Sequence, residues 1–337
     1  MKRDGHLFDA IIAFPNLWRA AHKAWRNKKD KARIADFYFN LERELLVLQQ
    51  ELLSGAYQPR PYSVFTVTDP KHREIAAADF RDRVVHHAIV NVLDPLFERR
   101  LISDTYACRV GKGTHAAVQR AQSFSCRNPY FLKCDIRKYF QSVDHAILKA
   151  LLARIIKDRL LLDLLNLIID HPVPGHLPGK GIPIGNLTSQ HFANLYLGEL
   201  DHEVKERWRV PNYLRYMDDF LVFGPTPSFL NGVHFEIREF LRERLTLELK
   251  EEVTILAPVS EGIPFLGFRV FPGTIRLQRK GLARFRRKSR AKELAFAGGE
   301  IDEALLSRSV GSMIGHMVHA DTRALRRQWV AAVVDLG

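Results

Sequence analysis

Cysteine is scarce in this chain: Cys108, Cys126 and Cys134 are the only three in 337 residues. They are odd in number, share no C-x-x-C spacing and lack a matching histidine pattern, so neither a disulfide framework nor a structural zinc site is expected. Long apolar runs are missing too. The longest near the N-terminus, Leu7 to Phe14, is interrupted by Asp9 and is too short to cross a bilayer or act as a signal sequence. A cytoplasmic protein is the expectation. Acidic residues are outnumbered, with 38 Asp and Glu against 51 Lys and Arg, a formal charge of +13 spread along the whole length. A polyanion is the expected partner, although composition alone does not separate nucleic acid from acidic lipid.

What is present is enough for a real core, since 46% of side chains are hydrophobic. Apolar groups at helical spacing (Ile34, Phe37, Leu41, Leu45, Leu48, Leu52) predict a helix over 33–54, with Gly55 placed where a helix stops. Tyr57 to Val67 turns to Pro, aromatic and β-branched residues and reads as extended strand; Arg81 to Leu101 returns to helical spacing. Pro129 to Asp135 reads as a buried strand, followed by a long helical run from His145 to Ile169. Breakers crowd 171–185 (HPVPGHLPGKGIPIG), which predicts a loop. Beyond it come a helix over Leu187 to Trp208, two short strands around a polar tip over Tyr213 to Phe223, and a helix at about 233–247. An apolar strand region covers Ile263 to Val270, and the remainder is helical, basic and broken at Gly298-Gly299. The fold class is α+β.

The chemistry concentrates in carboxylates. Tyr216-Met217-Asp218-Asp219 sits between strand-forming residues, and two adjacent acids at a hairpin tip repel one another where a single Asp would serve a structural turn. A divalent cation removes that penalty, because carboxylate oxygens are natural ligands for Mg²⁺. Asp135 ends an apolar strand and precedes Ile136-Arg137-Lys138-Tyr139-Phe140; a helix cap is the plainer reading of that residue on its own. Together the acids match what two-metal phosphoryl transfer needs, one ion activating a primer 3′-hydroxyl and the other holding the triphosphate.

At this point the sequence resembles reverse transcriptases over nearly its whole length, through ordered blocks: Arg81 to Ile89 (RDRVVHHAI), Phe131 to Val143 (FLKCDIRKYFQSV), Gly181 to Gln190 (GIPIGNLTSQ), Tyr216 to Asp219, and Phe265-Leu266-Gly267-Phe268. Most bacterial members contain Gln-Gly and later Ser-Pro in the nucleotide block, where this chain has Ile184-Gly185 and Ser189-Gln190. That variant, together with Pro70-Lys71-His72-Arg73-Glu74-Ile75 and Gly315 to Thr322 (GHMVHADT), is similar to the reverse transcriptases of diversity-generating retroelements.

The resemblance implies a right-hand polymerase: an N-terminal helical extension over 1–55, fingers over 56–128 with 171–190 joining near the palm, a palm over 129–271 carrying an antiparallel sheet and the YMDD hairpin, and a helical thumb over 272–337. It implies two Mg²⁺ ions, with Mn²⁺ as substitute, at Asp135, Ile136, Asp218 and Asp219. Around the incoming deoxynucleoside triphosphate it implies Lys71, Arg73, Phe140, Ile184, Gly185 and Gln190, with Phe140 filling the volume of a ribose 2′-hydroxyl. Ile184 replaces a polar contact and implies error-prone copying. Phe265, Leu266 and Gly267 correspond to a primer grip. Seven cations in thirteen positions from Lys280 to Lys292, among them Arg284, Arg287 and Lys288, suit the phosphates of an RNA/cDNA duplex.

The implied partners are a structured template RNA and a small basic accessory protein forming an oligomer, in a bacterial or phage-infected cell and without a membrane. No maturase or endonuclease extension is expected after Val270 beyond a thumb. Two alternatives stay open: a reverse transcriptase of phage defence, priming from protein or RNA, and a non-catalytic RNA-binding or splicing factor. Lys250 reads either as a cation near the leaving pyrophosphate or as a surface lysine. Gly111-Lys112-Gly113-Thr114 lacks the upstream glycine and preceding strand of a phosphate-binding loop, so an ATPase reading is rejected.

Overall fold

A computed structural model describes residues 5–26, 32–68 and 72–327, the side chains at 32–34 and 316 excepted. In chain order the elements open with α1 (Phe8–Ile12), α2 (Phe14–Trp25), α3 (Ala32–Phe39), α4 (Leu41–Ser54), β1 (Ser63–Val67), β2 (Arg73–Ala77) and α5 (Phe80–Glu98). There follow α6 (Thr114–Ser125), β3 (Tyr130–Asp135), α7 (Tyr139–Ser142), α8 (His145–Ile155), α9 (Arg159–Asp170) and α10 (Leu187–His202). The C-terminal part holds β4 (Tyr213–Tyr216), β5 (Asp219–Gly224), α11 (Pro227–Arg244), β6 (Ile255–Pro258), β7 (Ile263–Phe265), β8 (Phe268–Val270), β9 (Ile275–Leu277), α12 (Arg279–Ala297) and α13 (Glu303–Met317).

The chain divides into two units. The first comprises Met1–Ser103, Asp135–Arg209 and Glu236–Glu251. Its centre is α5, whose Val84, Val85, Ala88, Ile89 and Leu93 are fully buried, packed against α2 and α10. Asn16 of α2 donates from Nδ2 to the carbonyls of Ile11 and Ala88, satisfying a polar group that burial would otherwise penalise. Nearly every side chain of α10 is covered. The small antiparallel sheet β1–β2, paired from Ser63↔Ala77 to Val67↔Arg73, leaves β1 exposed along its length.

The second unit comprises Asp104–Cys134, Val210–Phe235 and Glu252–Gly337. It contains a four-stranded sheet in the order β4-β5-β3-β6 and a three-stranded sheet in the order β7-β8-β9. Phe131, Leu214, Leu221 and Phe223 of the first sheet, Phe265, Phe268 and Val270 of the second, and Val118 and Phe124 of α6 form one apolar core. Beyond α13 the chain returns to β9, where Asp321 accepts the Ile275 amide at 2.8 Å and the Thr274 hydroxyl at 2.5 Å.

Several elements depart from the sequence pattern for identifiable reasons. The run 33–54 is two helices parted at Asn40, and Gly55 closes the second in a left-handed conformation, φ 72°. The run 145–169 is also two helices. Asp158 starts the second by accepting the Leu161 amide, while its other oxygen takes the amides of Leu7 and Phe8 at 2.8 and 2.9 Å. In 57–67 only Ser63–Val67 is strand, since Pro59 and Pro61 cannot donate to a ladder. The helix over 187–208 ends its α-helical part at His202 and finishes as a π-helical turn, Glu203–Arg207. The region 263–270 is a hairpin, turning at Leu266 and Gly267 with φ 48° and 88°.

Candidate active site

The acidic tip is built by strand pairing. β4 and β5 run antiparallel from Tyr213↔Val222 to Tyr216↔Asp219, which leaves Met217 and Asp218 as a two-residue turn. Such a turn twists with the strands only if backbone enters the left-handed region, and Met217 does so at φ 58°. A side-chain-bearing residue there costs on the order of 1 kcal/mol, so the surroundings must hold it. Arg215 supplies that restraint. Its side chain is fully buried, and Nη1 donates to the Met217 carbonyl at 3.0 Å.

Arg215 is itself seated by the segment before α6. Its amide donates to the Asp104 carbonyl at 2.9 Å, and its carbonyl accepts the Tyr106 amide at 2.9 Å. The buried Asp104 carboxylate is paired with Arg120 Nε at 2.7 Å and accepts the Tyr106 hydroxyl at 3.3 Å. Burial pushes the Tyr106 hydroxyl up to about 12, with the Asp104 charge adding to the effect. On the next residue of β4, the Tyr216 hydroxyl accepts from Thr114 at 3.2 Å.

Asp135 closes β3, the strand between β5 and β6 in the sheet. Two residues earlier Lys133 places Nζ 2.6 Å from Asp219 Oδ1, which sets Lys133 beside the acidic hairpin within the second unit. Asp135 is also where the chain enters the first unit. There its carbonyl accepts the Lys250 amide at 2.8 Å, Ile136 bridges to Leu249, and the Arg137 amide donates to Glu248 at 2.9 Å. Asp135, Asp218 and Asp219 are half-covered, while Ile136 is buried. Among the described residues no three His, Cys, Asp or Glu side chains form an assembled metal cage. The donor chemistry of the tip nonetheless suits a hard cation: Asp219 already faces the Lys133 ammonium.

The residues read as nucleotide-binding fall mostly in the first unit. Phe140 on α7 is half-buried beside Tyr139, ring centroids 5.6 Å apart. Its carbonyl accepts the Ile182 amide at 2.7 Å, and the Val143 carbonyl accepts the Gly181 amide at 2.7 Å. The loop 171–185 is therefore hung directly on α7. Ile184 lines a cleft with Glu74, Gln141 and His176. Gly185, at φ 110°, leaves room for Ile75 of β2, whose Cγ2 would lie 2.9 Å from an added Cβ. Gln190 is half-buried in the first turn of α10, and Arg73 is exposed at the start of β2. Lys71 lies outside the described residues. Arg81 is a brace: it is buried, paired with Glu51 and lies over the Tyr57 ring.

In the second unit Phe265 is buried, and Leu266-Gly267 make the β7–β8 turn, with the Gly267 carbonyl accepting the Gln278 amide at 3.0 Å ahead of α12. On α12 Phe285 and Ser289 mark the inner face. Arg287 and Lys288 are exposed and Arg284 half-covered. Sequence reasoning missed Lys133 and Arg215. The available signal was a cation inside an otherwise apolar strand, in FLKCD and in YLRYMDD, because a covered charge demands a partner.

The fold is that of a right-hand polymerase. Telomerase of Candida tropicalis in complex with a TWJ fragment of telomeric RNA superposes with a TM-score of 0.51 at 11% identity, covering 80% of this chain and 56% of that one. The chain belongs to the reverse transcriptase (RNA-dependent DNA polymerase) family, whose profile matches residues 68–270. Protein YkfC of Escherichia coli K12 is 28% identical over 273 residues, 67% of this chain and 71% of YkfC. The group II intron-encoded protein LtrA of Lactococcus lactis is 22% identical over 312 residues, 71% of this chain and 51% of LtrA. The chain thus spans about half the length of LtrA.

Proposed function

We propose that this reverse transcriptase copies a structured RNA into cDNA for a diversity-generating retroelement, using Asp135, Asp218 and Asp219 as its catalytic carboxylates. The observation that carries the reading is the turn Met217-Asp218, followed directly by Asp219 and held by a buried arginine, in a sheet where the strand beside β5 ends in Asp135. In this reading these three side chains, with the Ile136 main chain, hold two Mg²⁺ ions. When bound, the ions would lower the pKa of the attacking primer hydroxyl and offset the negative charge developing on the leaving pyrophosphate.

The remaining roles belong to the chain's own groups. Phe140 excludes a 2′-hydroxyl by volume. Arg73 and Lys71 offer cations to the triphosphate. Gly185 and Gln190 border the base and sugar. Phe265, Leu266 and Gly267 steady the primer terminus, and Arg284, Arg287 and Lys288 meet the duplex backbone. We assign 56–128 to the fingers, 129–271 to the palm and 272–337 to the thumb, after a helical extension over 1–55. Ile184 presents no hydrogen bond to the nascent pair, which supports error-prone copying. The retroelement setting is supported by Ile184-Gly185, Ser189-Gln190 and the GHMVHADT segment. It brings with it a small basic accessory protein oligomer and a cytoplasmic site of action.

The test is primer extension on an RNA template with deoxynucleoside triphosphates, followed by sequencing. The expected result is cDNA rich in substitutions opposite adenine, abolished by Asp218→Asn. Equal extension by that variant removes the catalytic assignment, and accurate cDNA removes the retroelement setting.

A further inference from the structure

Lys133 stands in an apolar strand, between buried Leu132 and Cys134, with only 13% of its side chain exposed. Its Nζ lies 2.6 Å from Oδ1 of Asp219, itself 19% exposed. A pair this well covered differs from a surface ion pair, since water screens it little and neither side chain is free to wander. Asp219 also stands next to Asp218 in sequence. Without a cation the two carboxylates at this turn repel each other.

We propose that Lys133 is a built-in stand-in for the divalent cation: it neutralises Asp219 in the metal-free protein and gives up that carboxylate when a metal ion binds. This rests on the reading of Asp219 as a metal-binding carboxylate. Lys133 then sets the metal concentration at which the centre fills, because each incoming ion competes with an ammonium tethered to the same sheet. It also guards the empty turn against its own charge repulsion.

Two simpler roles for Lys133 give different outcomes. A lysine that only packs would change stability and leave metal affinity alone. A lysine that only orients Asp219 for coordination would weaken metal binding when removed. Competition predicts the opposite sign, tighter binding, together with a less stable metal-free protein.

Mn²⁺ binding to the full chain, read from the loss of the free-ion electron paramagnetic resonance signal, tests this without any turnover. The wild type is expected to bind and Asp219→Asn to lose most of that binding. Lys133→Arg, which keeps the charge, should match the wild type. Lys133→Met should bind Mn²⁺ at least about tenfold more tightly, the smallest effect expected of removing one unit charge a few ångströms from a divalent ion, and should melt at lower temperature in EDTA. Lys133→Gln repeats the measurement with a hydrogen-bond donor and no charge in case the Met variant does not fold. Unchanged or weaker Mn²⁺ binding by the neutral variants overturns the proposal. Failure of the wild type to bind, or equal binding by Asp219→Asn, instead sinks the metal-site reading beneath it.

Discussion

Arg215 turns a four-residue pattern into a rigid object. Its guanidinium is fully buried and reaches the carbonyl of a residue in the left-handed region, so one side chain fixes the backbone that carries Asp218. Replacing it with alanine leaves buried acceptors unpaired and is expected to cost about 3 kcal/mol of stability. Because the turn would lose its restraint, the extension rate should fall about tenfold or more. Steady-state kinetics should show kcat falling with the KM for template–primer nearly unchanged; an Arg215→Ala variant with wild-type kcat would contradict the role. Lysine should rescue poorly, since it lacks the planar fork.

His86 makes a separate, titratable prediction at the same scale. Burial in α5, with lesser contributions from His87, His171 and Arg83, lowers its pKa to about 3, and its Nδ1 has no hydrogen-bond partner. The folded protein therefore holds this ring neutral while the unfolded chain protonates it below about 6.5. The unfolded state binds more protons between those values, so stability is lost as pH falls from about 6.5 toward 3, at up to about 1.4 kcal/mol per unit. Urea denaturation across this range should show a shallower slope for His86→Gln than for wild type. Identical slopes would remove His86 from the acid response.

Elements that carry chemistry were the most legible, because each combines a strong local pattern with punctuation. β3, the β4–β5 hairpin and the loop 171–185 appear where apolar runs, a polar tip and crowded Pro and Gly put them. Helix breaks were not legible. At Asn40 and at Ile156-Lys157-Asp158 apolar spacing continues through the interruption, and at the second Asp158 starts the next helix while taking the Leu7 and Phe8 amides, partners distant in sequence. The short strands β6 and β9 and helix α6 were missed for the same reason: they owe their place to neighbours rather than to their own pattern.

The loop 171–185 gives the prediction at this scale. Gly181 has φ 85°, and a Cβ there would overlap the His176 ring. Its amide also holds the loop to α7 through Val143. Gly181→Ala should destabilise the protein by about 2 kcal/mol and displace His176 from the cleft it shares with Ile184. The expected kinetic signature is a raised KM for deoxynucleoside triphosphate with template–primer affinity intact. A loss confined to duplex binding would place the loop elsewhere in the mechanism.

For the molecule as a whole, the charge of +13 is the property most directly read from the sequence, and it implies counterion release on binding a polyanion. Duplex affinity should fall steeply with salt, and substituting glutamine at Arg284, Arg287 and Lys288 together should reduce the slope of log K against log salt by about 2 to 3. A slope unchanged by the triple substitution would remove α12 from the interface. What composition did not reveal was which polyanion. That came from ordered blocks spread across residues that the family profile also covers, 68–270.

In the proposed site Asp135 and the Asp218-Asp219 turn share bound cations. Iron-mediated cleavage measures this directly: Fe²⁺ loaded in place of Mg²⁺, with ascorbate and peroxide, cuts the backbone next to wherever the ion is held. The prediction is cleavage both beside Asp135 and at residues 217–219, suppressed together by excess Mg²⁺ and lost in Asp218→Asn. Cuts at one location alone, or cuts insensitive to Mg²⁺, would contradict it.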